Sequence, residues 1–176
     1  MLQRFRLLWK HRWTDPGLSR RWVDDAAATR LSARVQASER QHTGQIRICV
    51  ESTLPSSYLL RLRPGEPVSA AIRARALAWF GRLGVWDTDR NNGVLIYLLL
   101  TEHAIEIVAD RGLAREMAPT FWDELTDRLA QRLRQGDVEG GLAQAIDEVG
   151  TLLIAHHPRS GDDAADNELP DAIVRA

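Results

Sequence analysis

The sequence predicts an α/β protein: a three-layer α/β/α sandwich whose small mixed central sheet includes a β-hairpin and carries helices on both faces. Three observations lead there. Residues 45–51 (QIRICVE) alternate, with Ile46, Ile48 and Val50 on one face and Arg47, Cys49 and Glu51 on the other, as in a strand with one well-buried side. Residues 94–100 (VLIYLLL) are apolar at every position, which suits a central strand covered on both faces. Thr101-Glu102-His103 then turns the chain back into residues 104–110 (AIEIVAD), the second arm of a hairpin.

The helices follow in order. In residues 1–13 (MLQRFRLLWKHRW), Leu2, Phe5 and Trp9 stand at helical spacing with cations between them. Such a basic amphipathic arm either packs its aromatics onto the domain or lies on an anionic membrane surface. Arg4 and Arg6 interrupt any apolar run there, so the segment is a poor signal peptide. Residues 24–42 favour a helix that Asp24 or Asp25 can cap, with Leu31, Val35 and Ser38 on one stripe and Thr43-Gly44 at its end. Residues 52–67 hold three prolines and a glycine and read as a long loop. Pro67 opens the next helix, whose stripe of Val68, Ile72, Ala76, Phe80 and Leu83 stops at Gly84. Beyond the hairpin, residues 113–119 form a short turn. Thr120 caps a helix through Trp122, Leu125, Leu129 and Leu133, and Asp137 caps a last one carrying Leu142, Ile146, Val149 and Leu153. The organisation is therefore a basic arm (1–22), a folded domain (23–157) and an acidic tail without regular structure (158–176).

Composition narrows the function. The 176 residues are 44% hydrophobic and 27% charged, with a net charge of −1, so no overall excess of cations recommends nucleic acid as a partner. A single cysteine excludes an internal disulfide and a cysteine-based zinc cage; Cys49 itself reads as a small buried hydrophobe. The charge is balanced only in sum. Residues 1–22 carry six cations against Asp15, giving +5, and residues 158–176 carry two arginines against five acids, giving −3. The apolar run 94–100 is too short to cross a bilayer as a helix. The compartment expected from these features is cytoplasmic, with peripheral membrane contact where residues 1–13 dock.

Chemistry concentrates in Asp87-Thr88-Asp89-Arg90-Asn91-Asn92-Gly93. Oxygen donors at alternate positions before a glycine suit a hard cation, whereas the same residues also serve a plain polar turn. The loop is no EF-hand, because Gly93 stands seventh from Asp87 and a closing acid would fall near Leu98. If the hairpin turns around Glu102, Gly93 and Val94 lie near Arg111 and Asp110. The loop and the Asp110-Arg111-Gly112 corner then emerge together at the open end of the hairpin. Asp87, Asp89, Asn91, Asn92 and Asp110 are the candidate metal ligands, and Arg90 and Arg111 the candidate holders of a phosphate. Gly112 permits close approach or a left-handed turn, Gly93 closes the loop, and Trp86 is placed to wall the site. Asp110 serves equally as a helix cap or a partner of Arg111. His156-His157, at a helix end, suits the helix dipole better than a metal.

GRLGVWDTDRNNGVLIYLLL followed by EIVADRGL resembles the TPM domain, together with ERQHTGQIRICVE before it and WDELTDRLAQRLRQGDVEGGLAQAIDEVG after it. That family is named for a thylakoid-lumen acid phosphatase, a photosystem II repair protein and a modulator of acetylcholine receptors. The resemblance implies an α/β/α sandwich with a divalent-cation site, usually calcium, at the loops beside the sheet. It sets Asp89, Asn91 and Asn92 where the family carries an acid or amide before its NG-V-L strand. It sets Asp110-Arg111-Gly112 at a corner that is glycine-rich in many members. Asp24 or Asp25 is only a loose stand-in for the family's N-terminal Asn-Asp signature. Many relatives carry a signal peptide and a transmembrane anchor, and neither is seen here.

The expectation is an accessory domain that binds calcium, or else magnesium, and acts through an unidentified protein partner or a membrane. The alternative is a metal-assisted phosphomonoesterase, in which a cation polarises the phosphoryl oxygen and an aspartate serves as nucleophile or base.

Overall fold

The computed structural model describes residues 2–160 and 168–176, and residues 161–167 of the acidic segment lie outside them. The sheet has the strand order β3-β2-β1-β4, with β1 at Gln45–Glu51, β2 at Gly93–Leu99, β3 at Ala104–Ala109 and β4 at Val174–Arg175. β1 runs parallel to β2 and to β4, while β2 and β3 are antiparallel, so the sheet is mixed. Among the described residues the helices are α1 Leu2–Trp13, α2 Leu18–Trp22, α3 Asp25–Glu39, α4 Ser56–Arg61, α5 Val68–Arg82, α6 Arg111–Glu116, α7 Pro119–Arg134 and α8 Val138–His156. None of them is long and apolar enough to cross a membrane.

Strand alternation sorts the side chains into two cores. Ile46, Ile48, Val50, Val94, Ile96 and Leu98 face a layer made by α3, α7 and α8. Cys49, Leu95, Tyr97, Leu99 and Val108 face α4 and α5, with Leu7 and Leu8 of α1 at the margin. Helices therefore cover both faces, and the three-layer sandwich read from the sequence is present.

Several expectations change in detail. β1 is buried along its whole length, not on one side only, because α5 covers the face that carries Cys49 and Glu51. Glu51 is accommodated there by full pairing. It accepts hydrogen bonds from Arg75 at 2.5–3.1 Å, from Trp79 Nε1 at 2.9 Å and from the Tyr97 hydroxyl at 2.7 Å. Burial, together with that carboxylate, pushes the Tyr97 and Cys49 acidities out of reach of neutral pH. The long loop contains α4, whose Leu59 enters the second core. Thr120 lies inside the first turn of α7, which starts one residue earlier, whereas Asp24 and Asp137 cap α3 and α8 through Ala27 N and Gly140 N. The arm is helical but does not bury its tryptophans: Leu7, Leu8 and His11 face the domain, and Trp9 and Trp13 face outward.

The hairpin axis also shifts. Leu99 pairs with Ala104 through a 3₁₀ turn at Leu100–Glu102 and a left-handed His103, so the centre falls between Thr101 and Glu102. Gly93 consequently stands opposite Asp110, its carbonyl accepting the Asp110 amide at 2.8 Å. A one-residue change of register moves a side chain to the other face, so this shift decides where Asp110 lies.

The C-terminal residues 168–176, expected to lack regular structure, return to the sheet. β4 pairs at Cys49↔Val174 and Val50↔Arg175, Leu169 is buried, and Arg175 pairs with Asp25 and donates to the Val23 carbonyl. The apolar residues Leu169, Ile173 and Val174 outweigh the acids in fixing this end, since each packs on one of the two cores. Beside it sits a buried polar group. Glu39 accepts from Ile46 N at 2.7 Å, and burial with the neighbouring Asp171 carboxyl raises its pKa to about 8. His42, against Ser38 and the Gly44 carbonyl, is held by burial at a pKa of about 4 and so stays neutral.

These two groups fix a pH dependence. A carboxyl with a raised native pKa stabilises the fold at low pH, and that contribution disappears as pH rises to about 8. The opposite contribution of His42 is complete by its unfolded value of 6.5. Urea unfolding should therefore show a loss of roughly 2 kcal/mol between about pH 6.5 and about pH 9. In Glu39→Gln, whose amide can keep both contacts, the loss should be absent.

Candidate functional site

The N-terminal ends of the parallel pair β1 and β2 meet the last residue of β3 at one rim. Two segments form its centre. In the first, Thr88 makes the turn: its carbonyl accepts Asn91 N at 3.1 Å and its hydroxyl accepts Asn92 N at 3.2 Å. Asn91 is left-handed at φ 52°, a conformation that asparagine tolerates better than most residues. Asn92 is fully buried and its amide donates to Thr43 Oγ1 at 3.3 Å. In the second segment, Asp110 is buried and its Oδ1 accepts Arg111 N at 2.6 Å, at the start of α6.

The two segments touch through their main chains. Gly112 N donates to the Asn91 carbonyl at 3.0 Å. A Cβ on Gly112 would stand 2.5 Å from that oxygen and 2.9 Å from the Arg90 carbonyl, so close approach is what this glycine supplies. Gly93 has the same role against the Val85 main chain, where a Cβ would strike the carbonyl. The loop and the Asp110 corner thus lie beside each other, as hairpin symmetry predicts.

Among the described residues, each of these two buried side chains keeps one oxygen without a hydrogen-bond partner: Asn92 Oδ1 and Asp110 Oδ2. Leaving a buried acceptor unsatisfied costs on the order of 1–3 kcal/mol, more for a charged one. Hard cations prefer such oxygens. The other candidates lie further out. Asp87, Asp89, Arg90, Asn91 and Arg111 are exposed, and so is Trp86. Asp89 N donates to Glu168 Oε2 at 2.9 Å, and Arg90 reaches Thr43 Oγ1 at 3.4 Å. Among the described residues no three His, Cys, Asp or Glu side chains are grouped so as to hold a metal. Among the described residues the oxygens at this rim are the Asp110 carboxylate, the Asn92 amide, the Thr43 hydroxyl and main-chain carbonyls, with Asp87, Asp89 and Glu168 as outlying acids.

Sequence reasoning overlooked Thr43, which had read only as a helix stop. Its hydroxyl accepts from Asn92 and Arg90 and lies 3.4 Å from the His157 carbonyl, joining β1, β2 and the end of α8. Glu168 was hidden for another reason, since it arrives from a segment that carries no periodic signal. His156 and His157 both face Glu116 of α6, at 3.2 and 3.4 Å, which is a contact between helices in place of a solitary dipole complement.

A family model described as the TPM domain matches residues 21–152. Among solved structures, the chain is similar to the NMR structure of BA42 protein from the psychrophilic bacterium Bizionia argentinensis. The TM-score is 0.72 at 24% sequence identity, covering 88% of this chain and 95% of that one, a likeness of fold. No curated protein matches the chain significantly.

Gly112→Ala should lower stability by roughly 2 kcal/mol, because the new methyl meets main-chain oxygens that cannot swing aside. Chemical denaturation measures the loss. Amide hydrogen exchange should show it concentrated at residues 91 and 112.

Proposed function

We propose that this chain, which belongs to the TPM domain family, is a non-catalytic accessory domain that takes up a divalent cation of the calcium class at the rim between β1, β2 and the Asp110 corner. The observation that carries the reading is the pair of buried, unpartnered oxygens, Asn92 Oδ1 and Asp110 Oδ2, on two segments joined by the Gly112–Asn91 hydrogen bond. A carboxylate supplies charge and an amide supplies a neutral oxygen, a donor set that suits calcium or magnesium and offers nothing to a soft metal. Asp87 and Asp89 add negative charge in the same loop as Asn92 without being buried themselves. The cation would bind and orient; its chemistry would be to tie the loop to the hairpin end and present a fixed surface to a partner.

The phosphomonoesterase alternative draws on Arg90 and Arg111. It asks an aspartate to react, and Asp110, the one aspartate of the rim that is buried, has one oxygen committed to the Arg111 amide, while Asp89 stands in solvent. The accessory reading is favoured for that reason.

Thermal unfolding with calcium, magnesium and chelator tests the proposal. Calcium at about one hundred times its dissociation constant should raise the melting temperature by roughly 5 °C. Asp110→Asn keeps a capping oxygen but loses the charge, so it should melt near wild type in chelator and lose the calcium response. An unchanged melting temperature in millimolar calcium and magnesium overturns the cation. Hydrolysis of p-nitrophenyl phosphate that requires the metal and disappears in Asp110→Asn would replace the accessory reading with the enzymatic one.

A further inference from the structure

The outward face of α1 has a chemistry that the domain beneath it does not use. α1 is fixed by its other side: His11 Nδ1 accepts Leu54 N at 3.0 Å, His11 Nε2 lies 3.0 Å from Glu102, and Lys10 pairs with the same carboxylate at 3.1 Å. With His11, Leu7 and Leu8 turned inward, helical geometry turns Arg6, Trp9, Arg12 and Trp13 to solvent. Trp9 is 60% and Trp13 76% exposed, and their rings stack on each other at 5.7 Å between centroids. Among the described residues, neither Arg6 nor Arg12 has an acidic partner.

Beside this face is a groove of about 960 Å³ between α1 and the segment that follows α4. Its floor includes Leu7, Leu62 and Val68, and Arg6, Lys10 and Arg63 stand around it. The one acid there, Glu66, is engaged by the Arg63 main-chain amide at 2.8 Å. Cations around apolar carbon match an anionic amphiphile: a phosphate with the start of an acyl chain beneath it. Two exposed indoles flanked by arginines belong to the same setting, because tryptophan prefers the headgroup zone of a bilayer and each nearby cation strengthens the attraction to an anionic surface. The charge is local. Residues 1–22 sum to +5 in a chain whose net charge is −1, so the remainder would not be drawn to the same surface.

We infer that α1 docks this protein on an anionic phospholipid surface, with Trp9 and Trp13 in the headgroup layer and Arg6, Arg12 and Arg63 on lipid phosphates. Docking is independent of the rim between β1 and β2, so it persists in chelator.

Flotation of the full chain with vesicles in EDTA tests it. Vesicles of equal parts phosphatidylcholine and phosphatidylglycerol should carry the protein up the gradient, and pure phosphatidylcholine should not. The exposed substitutions Trp9→Ser with Trp13→Ser should leave the melting temperature unchanged and weaken binding at least tenfold. Arg6→Gln with Arg12→Gln should weaken it several-fold and flatten its dependence on salt. Lipids brominated along the acyl chain should quench the wild-type fluorescence and spare the double tryptophan variant. Failure to float with the mixed vesicles overturns the inference. So does flotation that the tryptophan substitutions leave unchanged, or α1-dependent capture of an acidic polypeptide by a chain that ignores lipid.

Discussion

The Glu51 carboxylate is the charge around which the α5 side of the molecule is arranged. It stands at the end of a strand buried on both faces, where an ionised carboxyl without partners would be several kilocalories per mole too costly. Arg75 and Trp79, one turn apart on α5, and Tyr97 on β2 satisfy it together. Arg75 in turn lies over the rings of Tyr58 on α4 and Trp79, at 5.2 and 4.9 Å. One ion thereby sets the rotation of α5, the position of α4 and the register of both helices on the sheet. The loop that leaves α5 reaches the N-terminal rim from that fixed start.

Much of the fold was legible because its signals are local. Alternation in QIRICVE, the continuous apolar run of β2 and the aspartate caps of α3 and α8 each report on residues a few positions away. What escaped is what depends on distant partners. Arg47 and Glu51 read as the wet face of a strand, but α5 and residues 168–176 close over that face. Composition marked the C-terminal residues as acidic and irregular; Leu169, Ile173 and Val174 fix them through contacts that no periodicity announces.

The rim was half legible for a related reason. Hairpin symmetry suffices to bring residues 91–93 beside 110–112, and an error of one residue in the axis leaves that conclusion standing. Which side chains turn inward is decided by packing, and packing selected Asn92 and Asp110 while leaving Asp87 and Asp89 in solvent. The third contributor, Thr43, belongs to neither segment. Its hydroxyl matters only because β1 lies parallel to β2 with Gln45 against Gly93, a pairing across 48 positions of sequence that no local pattern encodes.

The strand order β3-β2-β1-β4 leaves one flank of β1 to two residues near the end of the chain. During synthesis, the hairpin can complete the other flank long before Val174 and Arg175 leave the ribosome. Until then, β1 is an open border with unpaired amides and carbonyls, the kind of border that recruits a neighbouring polypeptide. A nascent or truncated chain therefore carries an aggregation hazard that the finished molecule hides. That hazard grows with the time a ribosome takes to deliver Val174 and Arg175 after the hairpin.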